Sequence, residues 1–299
     1  MKNFTAFGNA GLGTSHIASL GSAISLNEAH ALFRKAFELQ VNLIDTADTY
    51  GSGDAERLIA RATQDQELKN YFFIVTKAGF RHLALPAFMS PLNQIGKKVL
   101  QKIVPQKNFS PQYLECSLHR SLKRLKTDNV GAFVLHEPLA GDYVPDESWR
   151  ALERIREKGM AQLTGISSGD EQVVSAGIHS GQVQLVETPV SYCVPGSAVI
   201  LNLCQQNNIP VIANQVFLPL NVISPAILIK IRQLLPAYGL EDTSLREIMI
   251  GYAQRKPAVK CVLFGTRKAA HLAHNAAAVN HSYPEPLFDE INHLIHSNQ

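Results

Sequence analysis

Two hydrophobic periods alternate along this chain almost from its first residues. Apolar runs of strand type recur at 10–14, 41–47, 71–77, 130–136, 162–167, 182–188, 210–216 and 260–266. Between them the apolar positions recur at helical spacing, as Leu32, Ala36 and Leu39 do, which separates the two element types. Helices are predicted over 29–39, 55–62, 110–125, 146–158, 173–178, 198–206, 245–255, 268–279 and 286–296. Ser25 with Glu28, and Ser168 with Glu171, have capping-box spacing, and Ser110-Pro111 is an N-cap followed by proline. The apolar, Pro-punctuated stretch 218–240 reads as a loop bordering a pocket.

Strictly alternating strands and helices pair in parallel through right-handed crossovers. Eight such units without a linker predict an α/β fold, a single closed (β/α)₈ barrel spanning 1–299. In such a barrel chemistry collects at the C-terminal ends of the strands. Asp45, Lys77, His136, Ser167, Glu187, Asn214 and Thr266 stand there, each following or closing an apolar run.

Composition narrows the class. Hydrophobic residues make up 45% and charged residues 18%, enough for a large core. No apolar run is long enough to span a bilayer, and Met1-Lys2-Asn3-Phe4-Thr5 lacks a signal-peptide pattern. Cys116, Cys193, Cys204 and Cys261 are scattered, as expected of reduced thiols in a cytoplasmic protein. The net charge of +3 is local: Arg81, Lys97, Lys98, Lys102 and Lys107 lie in an acid-free insertion at 81–108, leaving −2 elsewhere. That distribution argues against nucleic-acid binding. The insertion reads as an amphipathic helix around Ile95, Val99, Leu100, Ile103 and Val104, or as a lid with Pro86, Phe88, Met89 and Pro91 at its contacts.

Asp45 at a strand end needs a cation, and Lys77 supplies one. Such a pair beside Tyr50 is expected to lower the phenol's pKa, and His136 to orient a substrate oxygen. Lys77 alone also suits a Schiff-base nucleophile. Gly11-Leu12-Gly13 lacks the third glycine of a Rossmann turn, and His271-x-x-His274 and His293-x-x-His296 lack a third metal ligand, so no metal site is expected. Asp48, with no evident partner, reads as a loop-capping acid.

Ile44-Asp45-Thr46-Ala47-Asp48-Thr49-Tyr50-Gly51, Thr76-Lys77 and Leu135-His136-Glu137-Pro138 resemble, in order, the tetrad motifs of the aldo-keto reductase family. The resemblance runs from Gly11 to Asn275. It implies NADPH extended across the barrel mouth and a small carbonyl substrate. Tyr50 would be the general acid, Lys77 and Asp45 would tune it, and His136 would orient the carbonyl. Gly13 and Thr14 would line the nicotinamide ribose region, with Asp45 also among the cofactor-binding residues, Ser167, Ser168 and Glu187 the carboxamide, and Phe217 the pyrophosphate. Gly265, Thr266 and Arg267 would take the adenosine 2′-phosphate, and His271 and Asn275 the adenine. The chain departs from the family at Glu187 (commonly Gln), Asn214 (often aromatic) and His274 (usually Glu). The resemblance also admits a non-catalytic NADPH-binding regulatory subunit. A monomer or weak homo-oligomer is expected.

Overall fold

Strand side chains alternate between two faces, and here both faces are buried. The inward positions Leu43, Phe73, Val75, Ala132, Val134, Leu185, Ile212, Cys261 and Leu263 form one apolar cluster with Phe7. The outward positions Leu12, Ile44, Phe133, Leu135, Ile166, Val186, Ala213, Val262 and Phe264 join the helices in a second, larger one. That is the packing of a parallel barrel inside a ring of helices.

The computed structural model describes residues 7–18, 21, 23–81, 107–142, 146–194 and 196–297. Its strands are β1 (Ala10–Gly13), β2 (Leu43–Asp45), β3 (Phe73–Ala78), β4 (Val130–His136), β5 (Ala161–Ser167), β6 (Leu185–Pro189), β7 (Val211–Asn214) and β8 (Val259–Gly265). Each pairs in parallel with the next, and β8 returns to β1, closing the barrel. Around it run α1 (Leu26–Glu38), α2 (Asp54–Ala62), α3 (Pro111–Leu125), α4 (Asp146–Glu157), α5 (Glu171–His179) and α6 (Ser197–Gln206). After β7 come α7 (Pro219–Val222), α8 (Pro225–Leu234) and α9 (Leu245–Gln254), and after β8 come α10 (Ala269–Val279) and α11 (Glu285–His296). Among the described residues, no helix is long and apolar enough to cross a membrane.

Two local expectations are corrected. Stretch 218–240 is helical: Pro219 and Pro225 open α7 and α8 at their first positions, where a missing N–H costs nothing. Neither cavity at the barrel mouth is lined by it. The N-cap of α5 is Asp170, which accepts from the amides of Gln172 and Val173. Ser168 cannot cap it, because its hydroxyl donates to the Pro138 carbonyl and accepts from Asp170 N. The helix or lid expected in the basic insertion lies outside the described residues. Its flanks are held near the mouth: Phe80 and Lys107 form an antiparallel bridge, and Asn108 N donates to Gly79 O at 2.7 Å.

Barrel closure leaves no room at some strand positions. A Cβ on Gly165 would stand 2.1 Å from the Leu185 carbonyl oxygen, so only glycine lets β5 approach β6 there.

Candidate active site

The inward alternation that fills the barrel ends, at its C-terminal rim, on polar residues. Gly13, Asp45, His136, Ser167, Glu187, Asn214 and Gly265 are inward positions at or near the C-terminal ends of their strands. With Tyr50 they line a cavity of about 240 Å³. Lys77, inward on β3, lies beneath it and is 1% exposed. The last turn of each strand thus delivers one side chain to one mouth. Thr14 does not line the cavity; its hydroxyl donates to the Asp45 carbonyl at 2.8 Å and holds the end of β2.

Lys77 is the hub. Its ammonium donates to Asp45 Oδ1 and to the Thr46 carbonyl at 3.2 Å, and it stands 3.3 Å from Glu187 Oε2. Asn214 Nδ2 donates to the other Glu187 oxygen at 2.8 Å. Asp45 and Glu187 are themselves within hydrogen-bond reach, so two buried carboxyl groups share one ammonium. Burial pulls Lys77 toward the neutral amine, but Asp45, Glu187 and Tyr50 together outweigh it and raise its pKa. A lysine held cationic by two buried carboxyl groups argues against a Schiff-base nucleophile there. Burial, and then Glu187, push Asp45 well above the usual carboxylate range against the pull of Lys77.

Tyr50 opens a 3₁₀ turn, Tyr50–Gly53, in the loop that follows β2. The turn needs left-handed backbone at Gly51, whose Cβ would meet the Ala18 carbonyl oxygen at 2.6 Å. It sets the phenol ring 5.3 Å from the Lys77 ammonium and edge-on to His136, with ring centres 5.9 Å apart. Phe80 also packs edge-on against His136, with ring centres 4.9 Å apart. The expectation that Tyr50 is acidified is wrong in sign. Burial raises its pKa; Lys77 opposes this, but Asp45 and Glu187 add to it. One cation facing one carboxylate was the picture in the sequence, and Glu187 supplies the second.

A second cavity, of about 450 Å³, adjoins the first at Gly265. Phe217, Thr266, Arg267, His271 and Asn275 line it, as the sequence placed them, together with Arg246, Lys268, His16 and His274. Three of these are permanent cations, and Arg246 lies over the Phe217 ring at 5.1 Å. Arg246 was missed. Its only signal was a cation in the first turn of α9, where the helix dipole disfavours one. The clustered donors and the run of polar walls between the cavities fit an extended, phosphate-bearing ligand. Ser168, by contrast, spends its hydroxyl within its own loop and lines neither cavity.

Asp48 is fully buried rather than at a loop surface. Burial and then Glu56 push its carboxyl well up, opposed by Arg124. Its amide donates to the Lys77 carbonyl at 3.1 Å, so this loop braces the strand that carries the hub. No group of three metal-ligating side chains stands together among the described residues.

Comparison with known proteins agrees with this architecture. The chain is 25% identical over 217 residues to the D-threo-aldose 1-dehydrogenase of a Pseudomonas species, covering 69% of this chain and 65% of that protein. The alignment thus spans just under two thirds of that relative's length. The aldo-keto reductase AKR11C1 from Bacillus halodurans, in its holo form, superposes with a TM-score of 0.78 at 20% identity, over 97% of this chain and 93% of that one. An aldo/keto reductase from Klebsiella pneumoniae, solved with NADP and acetate, gives 0.74 at 20% identity, over 97% and 94%. These two likenesses are of fold. The model of the aldo/keto reductase family matches residues 9–218, and the chain belongs to that family.

Proposed function

We propose that the chain is an NADPH-dependent oxidoreductase that reduces an aldehyde or ketone to an alcohol. The observation that carries this reading is the joining of two cavities at Gly265, one walled by Tyr50, His136, Asp45 and Glu187, the other by Arg246, Arg267 and Lys268. The residues fit the cofactor: guanidinium forks for phosphate oxygens at one end, and a buried polar mouth at the other. Asn214 Oδ1 is buried there with no hydrogen-bond partner among the described residues, an acceptor suited to an amide group.

When bound, NADPH supplies the hydride. The chain's own part is proton delivery and orientation. Tyr50 gives its phenolic proton to the substrate oxygen as that oxygen gains charge, and the Lys77 ammonium stabilises the phenolate left behind. His136, fixed between Tyr50 and Phe80, donates to the same oxygen and sets the face presented. Asp45 and the Thr46 carbonyl keep the ammonium in place. Arg267 and Arg246 select the 2′-phosphate, which favours NADPH over NADH.

Tyr50→Phe is expected to abolish NADPH oxidation with a panel of small aldehydes while NADPH still binds in a calorimetric titration. Wild-type turnover in that variant refutes the assignment. Complete inactivity of the wild type despite tight binding favours the regulatory-subunit reading instead.

A further inference from the structure

Glu187 gives this mouth one acid more than the proton-transfer scheme uses. Asp45 on β2 and Glu187 on β6 reach the same Lys77 ammonium and each other, at 2% exposure each. Two ionised carboxylates this close repel strongly, and one buried cation neutralises only one of them. A proton between them turns the contact into a carboxyl–carboxylate hydrogen bond, and Asn214 donates to the Glu187 oxygen on the far side. The other ionisable groups facing the pair are Tyr50, His136 on β4 and Cys261 on β8. The Cys261 thiol is itself pushed up by burial and then by both carboxylates.

Both carboxyl groups wall the cavity that also holds Tyr50. A hydride donor working with Tyr50 must occupy that cavity, so its nicotinamide ring lies against them. That ring is neutral in NADPH and cationic in NADP⁺. The inference therefore rests on the proposed function, and concerns what Glu187 adds to it.

We propose that Asp45 and Glu187 hold one proton between them above Lys77, and that the cationic nicotinamide of NADP⁺ expels it to solvent on binding. The balance is simple: NADP⁺ enters, one proton leaves, and no other bond changes. NADPH brings no charge to the ring and leaves the proton in place. The mouth thereby discriminates between the two forms of one cofactor through a residue that touches neither the carbonyl nor the hydride.

The test is isothermal titration of wild type and Glu187→Gln with NADP⁺ and NADPH in two buffers of different ionisation enthalpy at neutral pH. The phosphates are common to both ligands, so the difference in protons released reports the ring alone. Wild type is expected to release roughly 0.5–1 more proton with NADP⁺ than with NADPH. Glu187→Gln should abolish that difference and weaken NADP⁺ relative to NADPH about tenfold or more. Equal proton release by the two ligands in wild type overturns the proposal while leaving the proposed function standing, and needs no variant to fold. A proton difference that survives in Glu187→Gln also overturns it. Failure of both ligands to bind overturns the proposed function together with this inference.

Discussion

Behind Lys77 lies a second buried charge network whose removal has a calculable cost. Glu56 on α2 is fully buried, accepts from Arg124 Nε at 2.5 Å and from the Thr76 hydroxyl at 2.7 Å, and stands near the buried Asp48. Arg124 also donates to Ser121 at 2.9 Å. Arg124→Ala removes the chief partner of Glu56 and much of what offsets Asp48, leaving Arg120 as the remaining cation acting on Asp48. Breaking a buried pair from one side costs about 3–5 kcal/mol, because the other charge stays in the interior. An exposed pair such as Arg34 with Glu67, screened by solvent, contributes far less. The sign of the pH dependence follows from Asp48. Its folded-state pKa is raised by burial above the ordinary carboxylate value of 3.8, so the folded chain holds that proton more tightly than the unfolded one. Stability from that group is present below 3.8 and is lost as pH rises through the folded-state value. Without Arg124 the loss should deepen, so the penalty of Arg124→Ala grows as pH rises above the ordinary carboxylate range. Urea unfolding followed by the fluorescence of Trp149 measures both. Adding Glu56→Gln to Arg124→Ala should recover part of the loss. A penalty below about 1 kcal/mol, or one independent of pH, refutes the claim that buried charge governs this site.

Arg267→Ala and Arg246→Ala should each raise the Kd for NADPH about 10- to 100-fold, the worth of one charged hydrogen bond, and leave the Kd for NADH nearly unchanged; parallel titrations decide it. Because burial, with Asp45 and Glu187, raises the Tyr50 pKa, its phenol stays protonated further into the alkaline range than a free tyrosine. The kcat/KM for reduction should therefore show no fall from Tyr50 between about pH 8 and 10, and a titration centred at about 10 would contradict it. Burial pushes the Cys204 thiol up to about 12 and raises Cys261 further, whereas Cys116 is exposed. Iodoacetamide at about pH 8 should label Cys116 well before Cys204 or Cys261, read by peptide mass spectrometry, since only the thiolate reacts.

The barrel was legible because its pattern is local. Phe73, Val75 and Lys77, or Ala132, Val134 and His136, announce an inward face at period two, and the last inward residue of each strand is where chemistry must sit. What the sequence hid was set by contacts between distant segments. Arg246 reaches the second cavity from the first turn of α9, distant in sequence from the Gly265-Thr266-Arg267 loop it joins there. Ser168 matched a capping pattern but found the Pro138 carbonyl first, leaving the cap to Asp170. Pro219 and Pro225 read as breakers when they were helix openers, because proline's meaning depends on whether a turn of helix follows. The sign of the Tyr50 shift was beyond reach because burial in the closed mouth sets it first, with Asp45 and Glu187 only adding to it. Lys77 and Asp45 could be paired by motif, but that Glu187 completes the cluster requires the barrel to close.

That third member changes which direction of chemistry the mouth favours. In reduction Tyr50 need only surrender its proton to an oxygen becoming an alkoxide, a far stronger base than phenolate, so a raised phenol pKa leaves the donor competent. In oxidation the same residue must first lose its proton to act as base, and Asp45 and Glu187 both oppose the phenolate. A mouth with Gln at this position would carry Lys77 against Asp45 alone and would weigh the two directions more evenly. Glu187 therefore penalises the base form of Tyr50 more than the acid form. On the proposed function, the pair keeps its shared proton while the ring is uncharged and loses it when the ring is cationic, so the penalty on the phenolate falls on the oxidation direction, where both carboxylates are ionised.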